Sequence, residues 1–327
     1  MRKYWQVAFT MLFMCLSGGA SATAFYIAPH GDDVTLFMER NAAADIASNA
    51  KVVFVLVTTG SFVRNSAGTP VVVGGGVYPD LPALPNGMEP PVAPYYYTRE
   101  VGNIAAIRTW ANSSQVDQWV DDYIDGRAVQ KNRIGGNPNI IFYVLRLVDG
   151  DASSNSGLAY LKENSSANPG LTISSVDGGQ TYTMAQLKSF ISAIVQKEQD
   201  GNDTWINIPE YFEGTEVAPA GDFHADHRAT GWIVAQALKE RTPTRCARTV
   251  QWMDYRILNL DLQINYSSSE STMQAAAWAN LNNAMVYAGG PKTDDLNSAN
   301  GVAHKKFLGH AYRSPNGTNG VKAYGCN

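Results

Sequence analysis

An apolar run, Phe25 to Ala28, stops abruptly at Pro29, His30, Gly31, Asp32 and Asp33, which bring together one imidazole and two adjacent carboxylates. Far downstream, His224, Ala225, Asp226 and His227 offer two more imidazoles and another carboxylate. The chain has 5 histidines in all, and three of them fall in these two stretches. A catalytic zinc takes three protein ligands of these kinds and leaves a position for water. His30 and Asp33, spaced i, i+3, can share one side of a tight turn, and His227 supplies a third ligand, so the pattern predicts a His-Asp-His set. Asp32 then points elsewhere and is free to act as a general base towards a water whose pKa the metal brings down to ~7. His224 is placed to donate to a developing oxyanion or to a leaving amine. Asp226 is expected to orient a histidine from behind. His304 and His310 read as surface or capping histidines; the alternative for His310 is that it closes the pocket.

The two clusters can meet only if the elements before them lie side by side. Residues 25–29 read as a buried strand, and Thr35 to Ser48 as a helix turning Leu36, Phe37, Ala43, Ile46 and Ala47 inward. Lys51 to Val57 is a second strand, continuously apolar, as suits a parallel strand covered on both faces. Strand, helix, strand in this order makes a βαβ unit. Thr98 is expected to cap a helix carrying Arg99 and Glu100, with Ile104, Ala105, Ile107 and Ala111 inward. Ile140 to Leu145 is a third strand leading to Asp149 and Gly150, Met184 to Gln199 a helix, and Trp205 to Ile208 a fourth strand. The second histidine cluster is expected in the loop after it, ahead of a helix from Thr230 to Lys239. Ligands in open α/β sheets bind beyond the carboxyl ends of strands, so both clusters are predicted at one rim. Past Arg245, Val250 to Ile257 reads as a strand, Glu270 to Tyr287 as a helix, and His304 to His310 as a short amphipathic piece. The segment 61–94, with seven prolines and Gly74 to Gly76, predicts a functional cover or disorder. Tyr95 to Tyr97 at its end either stack on sugar rings or anchor the loop. The fold class is α/β, a Rossmann-like, mostly parallel sheet flanked by helices, with a C-terminal extension.

At 327 residues, 45% hydrophobic and 17% charged, with a formal net charge of -4, the composition is that of a globular protein with a sizeable core. Lysines and arginines do not cluster, which argues against a nucleic-acid partner. The N-terminus reads as an export signal: Arg2 and Lys3, an apolar Val7 to Leu16, then small residues through Ala24. Cleavage after Ala22 or after Ala24 fits. The apolar run is short for a bilayer, so no stable membrane span is expected once it is removed. Bulky Phe13 and Met14 oppose a lipoprotein reading through Cys15. Cys246 and Cys326 then remain as an even pair in an oxidising compartment, read as a disulfide, with two separate buried thiols as the alternative. Such a bridge would close a loop of about 80 residues and be worth ~4 kcal/mol in the chain-entropy model.

Pro29 to Val34 resembles the Pro-His-Pro-Asp-Asp-Glu motif of the LmbE-like (PIG-L) zinc N-deacetylases. Thr58, Thr59 and Gly60 are similar to that family's Thr-x-Gly, Arg99 and Glu100 to its Arg-Glu helix start, Leu145 to Gly150 to its Leu-x-x-x-Asp-Gly, and His224 to His227 match its His-x-Asp-His in full. The resemblance spans residues 25 to 240 in the family's order, with a weaker echo at Lys306 to His310. It implies His30, Asp33 and His227 as ligands of one zinc per chain, Asp32 as general base, His224 as oxyanion or acid group, and Asp149 and Arg99 in the substrate pocket. It implies a Rossmann-like fold and hydrolysis of the acetamide on an amino sugar or polysaccharide. The chain is accordingly divided into a signal peptide, 1–24, a deacetylase core, 25–245, and a C-terminal extension of the same domain, 246–327. Gly31 and Val34 depart from the motif, leaving the ligands intact but one carboxylate absent. Two other readings remain: an amidase for another amide, such as a cyclic imide or acylated amine, and a metal-stabilised carbohydrate-binding relative without turnover.

Overall fold

β1 (Thr23–Ala28) is buried along its whole length, sending Ala24, Tyr26 and Ala28 to one face of a sheet and Phe25 and Ile27 to the other. The computed structural model describes residues 22–60, 62–64, 70–72, 95–150, 156–200, 203–212, 224–240, 246–260, 262–290, 304–314 and 321–326. The predicted first strand, first helix and second strand appear as β1, a π-helical stretch (Val34–Met38) running into α1 (Glu39–Ala47), and β2 (Lys51–Thr58). A two-stranded hairpin, β3 (Phe62–Arg64) with β4 (Pro70–Val72), precedes α2 (Tyr95–Ala111). Then come β5 (Gln118–Ile124), β6 (Arg127–Arg133), β7 (Ile140–Leu147), α3 (Gly157–Asn164), β8 (Thr172–Ser174), β9 (Thr181–Thr183), α4 (Met184–Glu198) and β10 (Asp203–Pro209). The chain closes with α5 (Ala225–Glu240), β11 (Cys246–Trp252), α6 (Arg256–Asn259), α7 (Ser268–Tyr287) and β12 (Val321–Tyr324).

Eight strands form one sheet in the order β12-β11-β10-β1-β2-β7-β6-β5. The five from β11 to β7 are parallel, and the outer pairs are antiparallel. β1 has the early strand β2 on one side and the late strand β10 on the other, so the order reverses beside it, the kind of switch point at whose carboxyl rim open α/β sheets place their sites. Helices α1, α2 and α7 cover one face, and α3, α4 and α5 the other. Two-sided cover is why these strands read as unbroken apolar runs. The last strands continue the sheet directly, and a Cys246–Cys326 disulfide ties the start of β11 to the residues after β12. Among the described residues no helix is long and apolar enough to cross a membrane. Residues 1–21 of the proposed signal segment and most of 61–94 lie outside the described residues, whereas Thr23 and Ala24 belong to β1.

Several expectations need correction. α2 begins at Tyr95, so Thr98 lies inside it, fully buried, and does not cap it. Tyr96 lies over the Arg146 guanidinium at 5.1 Å, and Tyr97 is 41% exposed. Ala47 is exposed and Ala105 and Ala111 half-buried, while Ala42 and Ala106 take the inward positions. The strand read through Ile257 ends at Trp252, because the chain turns there to send Asp254 and Arg256 into the interior. The β5–β6 hairpin escaped notice since β5 is largely exposed and β6 largely polar. Its signal was Asp125-Gly126, a two-residue turn with φ of 51° and 74°, the left-handed pair that a tight hairpin requires.

Glu39, at the start of α1, is 1% exposed, and its Oε2 has no hydrogen-bond partner. Burial raises its pKa to about 7, against the lowering influence of the Tyr266 hydroxyl; Glu270 raises it further, and Arg40 lowers it. Below the ordinary carboxylate range both folded and unfolded chains hold the proton. As pH rises to 7 the unfolded chain gives it up first, so folding loses stability. Glu39→Gln is therefore expected to stabilise the protein by roughly 2–3 kcal/mol at pH 8 and by little at pH 4.5. Urea unfolding at the two pH values measures this, and an equal gain at both would contradict it.

Candidate metal centre

The turn after β1 is pinned from both sides. The Pro29 carbonyl accepts from the Thr58 amide at 3.0 Å and the Thr58 hydroxyl at 2.9 Å, and the His30 amide donates to Asp33 Oδ2 at 2.8 Å. Asp33 leads directly into the π-helical stretch, a wider turn often found at functional sites. At the same rim His224 stands just before α5, and Asp226 and His227 lie on the first turn of that helix instead of in a loop. The helix dipole favours the acidic residue there.

Three groups converge. His227 Nε2 is 3.1 Å from Asp33 Oδ1 and 3.2 Å from His30 Nδ1, and His30 Nδ1 is 3.4 Å from Asp33 Oδ2. A tetrahedral zinc with ~2.0–2.1 Å bonds separates its ligand atoms by roughly 3.3–3.4 Å; here the two Asp33 distances belong to different oxygens, and the donor groups that lie within 4.8 Å of one another include His30, His224 and His227, and His30, Asp32 and Asp33. The far ring nitrogens determine the tautomers. With His227 Nδ1 donating to Asp254 Oδ2 at 2.7 Å and His30 Nε2 to Asp149 Oδ1 at 3.3 Å, both rings in their neutral forms turn a lone pair towards Asp33. His227 Nε2 and Asp33 Oδ1 are close without the alignment of a hydrogen bond. Two lone pairs and a carboxylate aimed at one buried point repel one another unless a cation lies between them, and the donor set fits a divalent metal. With protons alone, burial lowers the His30 pKa but Asp149 and Asp33 outweigh it, raising it to about 9.

Asp32 is not free. Its Oδ1 accepts from Arg99 Nη2 at 2.5 Å, while Oδ2 is 3.9 Å from His304 Nε2. Arg99 can lie there because Gly60, at φ +60°, has no side chain; a Cβ would fall 2.7 Å from Arg99 Nε. His224 accepts the Asp226 amide at Nδ1, 3.3 Å, which leaves its proton on Nε2. Burial, then the His30 charge, lowers the His224 pKa to about 3, so the ring stays neutral.

Asp226 holds backbone and not an imidazole: its carboxyl oxygens accept from Gly150 N at 3.0 Å and Ala159 N at 2.9 Å. Burial, then the Asp149 charge and hydrogen bonding to Asp149, push its pKa well above the carboxylate range. Asp149 sits 2% exposed against His30. The groups behind the two convergent histidines His30 and His227 are thus Asp149 and Asp254.

Asp254 and Tyr255 escaped the sequence reading, and His304, expected to be a surface or capping residue, is buried. Tyr255 stacks on His227 with ring centroids 5.3 Å apart, and its hydroxyl lies 3.3 Å from His304 Nε2. His304 and His310 are both buried; His304 approaches Asp32, whereas His310 Nδ1 stays with the carbonyls of Phe307 and Leu308. The turn bearing Asp254 is anchored by Arg256 Nη2, which donates to both Glu210 oxygens at 2.5 and 2.7 Å. Asp254→Asn is expected to weaken zinc binding ~10–100-fold, the usual cost of losing the partner behind a ligating histidine. Chelator competition measures it, and unchanged affinity would show that Asp254 does not orient His227.

An α/β fold with three convergent donors at the switch point of a parallel sheet is a frame for metal-assisted chemistry. No known family profile matches the chain, and no curated protein matches it in sequence. Among solved structures, the A40926 pseudoaglycone deacetylase Dbv21 is 15% identical, covering 80% of this chain and 81% of that one, with a TM-score of 0.40. The zinc-inhibited form of teicoplanin deacetylase Orf2 is 14% identical over 93% and 97% of the two chains, at 0.40. N,N'-diacetylchitobiose deacetylase from Pyrococcus horikoshii is 13% identical over 93% and 84%, at 0.41.

Proposed function

We propose that this protein is an exported, zinc-dependent amide hydrolase that removes the acetyl group from an N-acetylated amino sugar or polysaccharide. The observation that carries the reading is the convergence of His30 Nδ1, Asp33 and His227 Nε2, with separations of 3.1–3.4 Å, beside a carboxylate held by Arg99. His30, Asp33 and His227 would hold one zinc ion, which would polarise an amide carbonyl and acidify a water. Asp32 takes the proton of the attacking water; with Oδ1 engaged by Arg99, the base is Oδ2. His224, neutral and protonated on Nε2, donates to the carbonyl oxygen as negative charge develops there. The C–N bond then breaks, the proton held by Asp32 passes to the amine nitrogen, and acetate and the free amine leave. Asp149 orients His30, and Asp226 holds the loop behind it. Export is supported by the N-terminal pattern and by the disulfide. Cleavage after Ala22 leaves β1 whole, since Thr23 Oγ1 pairs with the Asp200 backbone at 2.8 and 3.1 Å.

The test is metal content of the mature protein followed by acetate release from N-acetylglucosamine oligomers. One zinc per chain with release supports the proposal. Zinc without release from any acetamide would move the chemistry to another amide or to sugar binding, and absence of any bound divalent metal would sink the centre.

A further inference from the structure

Arg146 lies outside the reacting groups and is itself held by charged and aromatic partners. It sits near the end of β7 with φ of 54°, a left-handed conformation that costs a non-glycine residue energy. The neighbouring β2–β7 register is interrupted between Leu56 and Thr58. Its guanidinium is bound on three sides. Nε and Nη2 donate to Glu100 Oε1 and Oε2 at 2.7 and 2.8 Å, Nη1 donates to Asp177 Oδ2 at 3.0 Å, and the Tyr96 ring covers it at 5.1 Å. Tyr96, Arg99 and Glu100 all belong to the first turns of α2. Arg99, next to Glu100, is the residue that holds Asp32.

We propose that Arg146 is a positioning residue: through its two-pronged pair with Glu100 it sets the start of α2, and so the direction from which Arg99 holds Asp32. The inference rests on Asp32 being the base. A buried ion pair is a poor source of stability, because desolvation offsets its attraction, but its planar geometry specifies orientation well. α2 already packs closely on α7, where a Cβ at Gly102 would come within 2.7 Å of Met285, so the ionic anchor is not needed to hold the helix. Orientation matters more here, since a displacement of ~1 Å in a reacting group can lower rate about a hundredfold.

The experiment compares Arg146→Lys, which keeps the charge and loses the fork, with Glu100→Gln, each alone and combined with Arg99→Lys. Both single variants should keep one zinc per chain and wild-type KM while kcat falls about tenfold or more. In the Arg99→Lys background either change should cost less than about twofold, because the path to Asp32 is already cut. Nitrogen-15 NMR of the Arg99 guanidinium should show it released from Asp32 in both variants. Losses that multiply with Arg99→Lys, loss of zinc, or an Arg99 still bound to Asp32 would each overturn the proposal. The NMR result stands without turnover, so a wild-type protein inactive on acetamides would refute the assigned activity and leave the positioning role to be judged by Arg99 alone.

Discussion

Asp33→Asn and His227→Gln are expected to leave folded protein that loses its zinc on dialysis and releases no acetate. Each substitution keeps roughly the shape and hydrogen-bonding capacity of the side chain but removes one of three donors. His227 is wholly buried between Asp33 and Asp254, so an alanine there would strand two carboxylates and confuse ligand loss with unfolding. The loss of affinity should exceed the ~10–100-fold expected of Asp254→Asn, which removes only an outer partner. Metal uptake by the wild type should also release protons. Although burial opposes it, in the metal-free protein Asp149 and Asp33 raise the His30 pKa to about 9, and Asp33 with Asp254 raises that of His227 well above its usual range. Both rings are therefore protonated at neutral pH and must lose a proton to become ligands. Apparent zinc affinity should climb between pH 6 and 8, and calorimetry in buffers of different ionisation enthalpy should report the protons released. Full zinc retention by either variant, or an affinity that does not change with pH, would rule out this ligand set.

Asp32→Asn should give the complementary result: zinc retained and kcat reduced ~10²–10⁴-fold, the usual contribution of a positioned general base. Asp32 is not one of the three convergent groups, so the metal should stay. The asparagine can still accept from Arg99 at Oδ1 but cannot take a proton from water. It also leaves the Arg99 guanidinium, 7% exposed, without its nearest counter-charge, so a moderate fall in thermal stability is expected as well. Acetate release at saturating substrate, with zinc measured on the same samples, separates the two effects. A loss smaller than about tenfold in a variant that keeps its metal would mean that another group removes the proton.

The parallel sheet, the rim at which the two clusters meet, and the local groups His30 to Asp33 and His224 to His227 were all legible in the sequence. Their signals are short-range: strands of six and eight residues, β1 and β2, whose middles are continuously apolar, and donors a few residues apart. The tertiary structure alone decided what stands behind those donors. Nothing in the spacing links Asp254 to His227, Arg99 to Asp32, or His304 to either, because each pair is joined by packing across different elements. Asp226 looked like the partner of its neighbouring histidine, yet the helix carries its carboxylate to the amides of Gly150 and Ala159. Donor types and spacings lie along the chain, but the direction in which a buried carboxylate points depends on which unpaired N–H groups the folded backbone brings within reach.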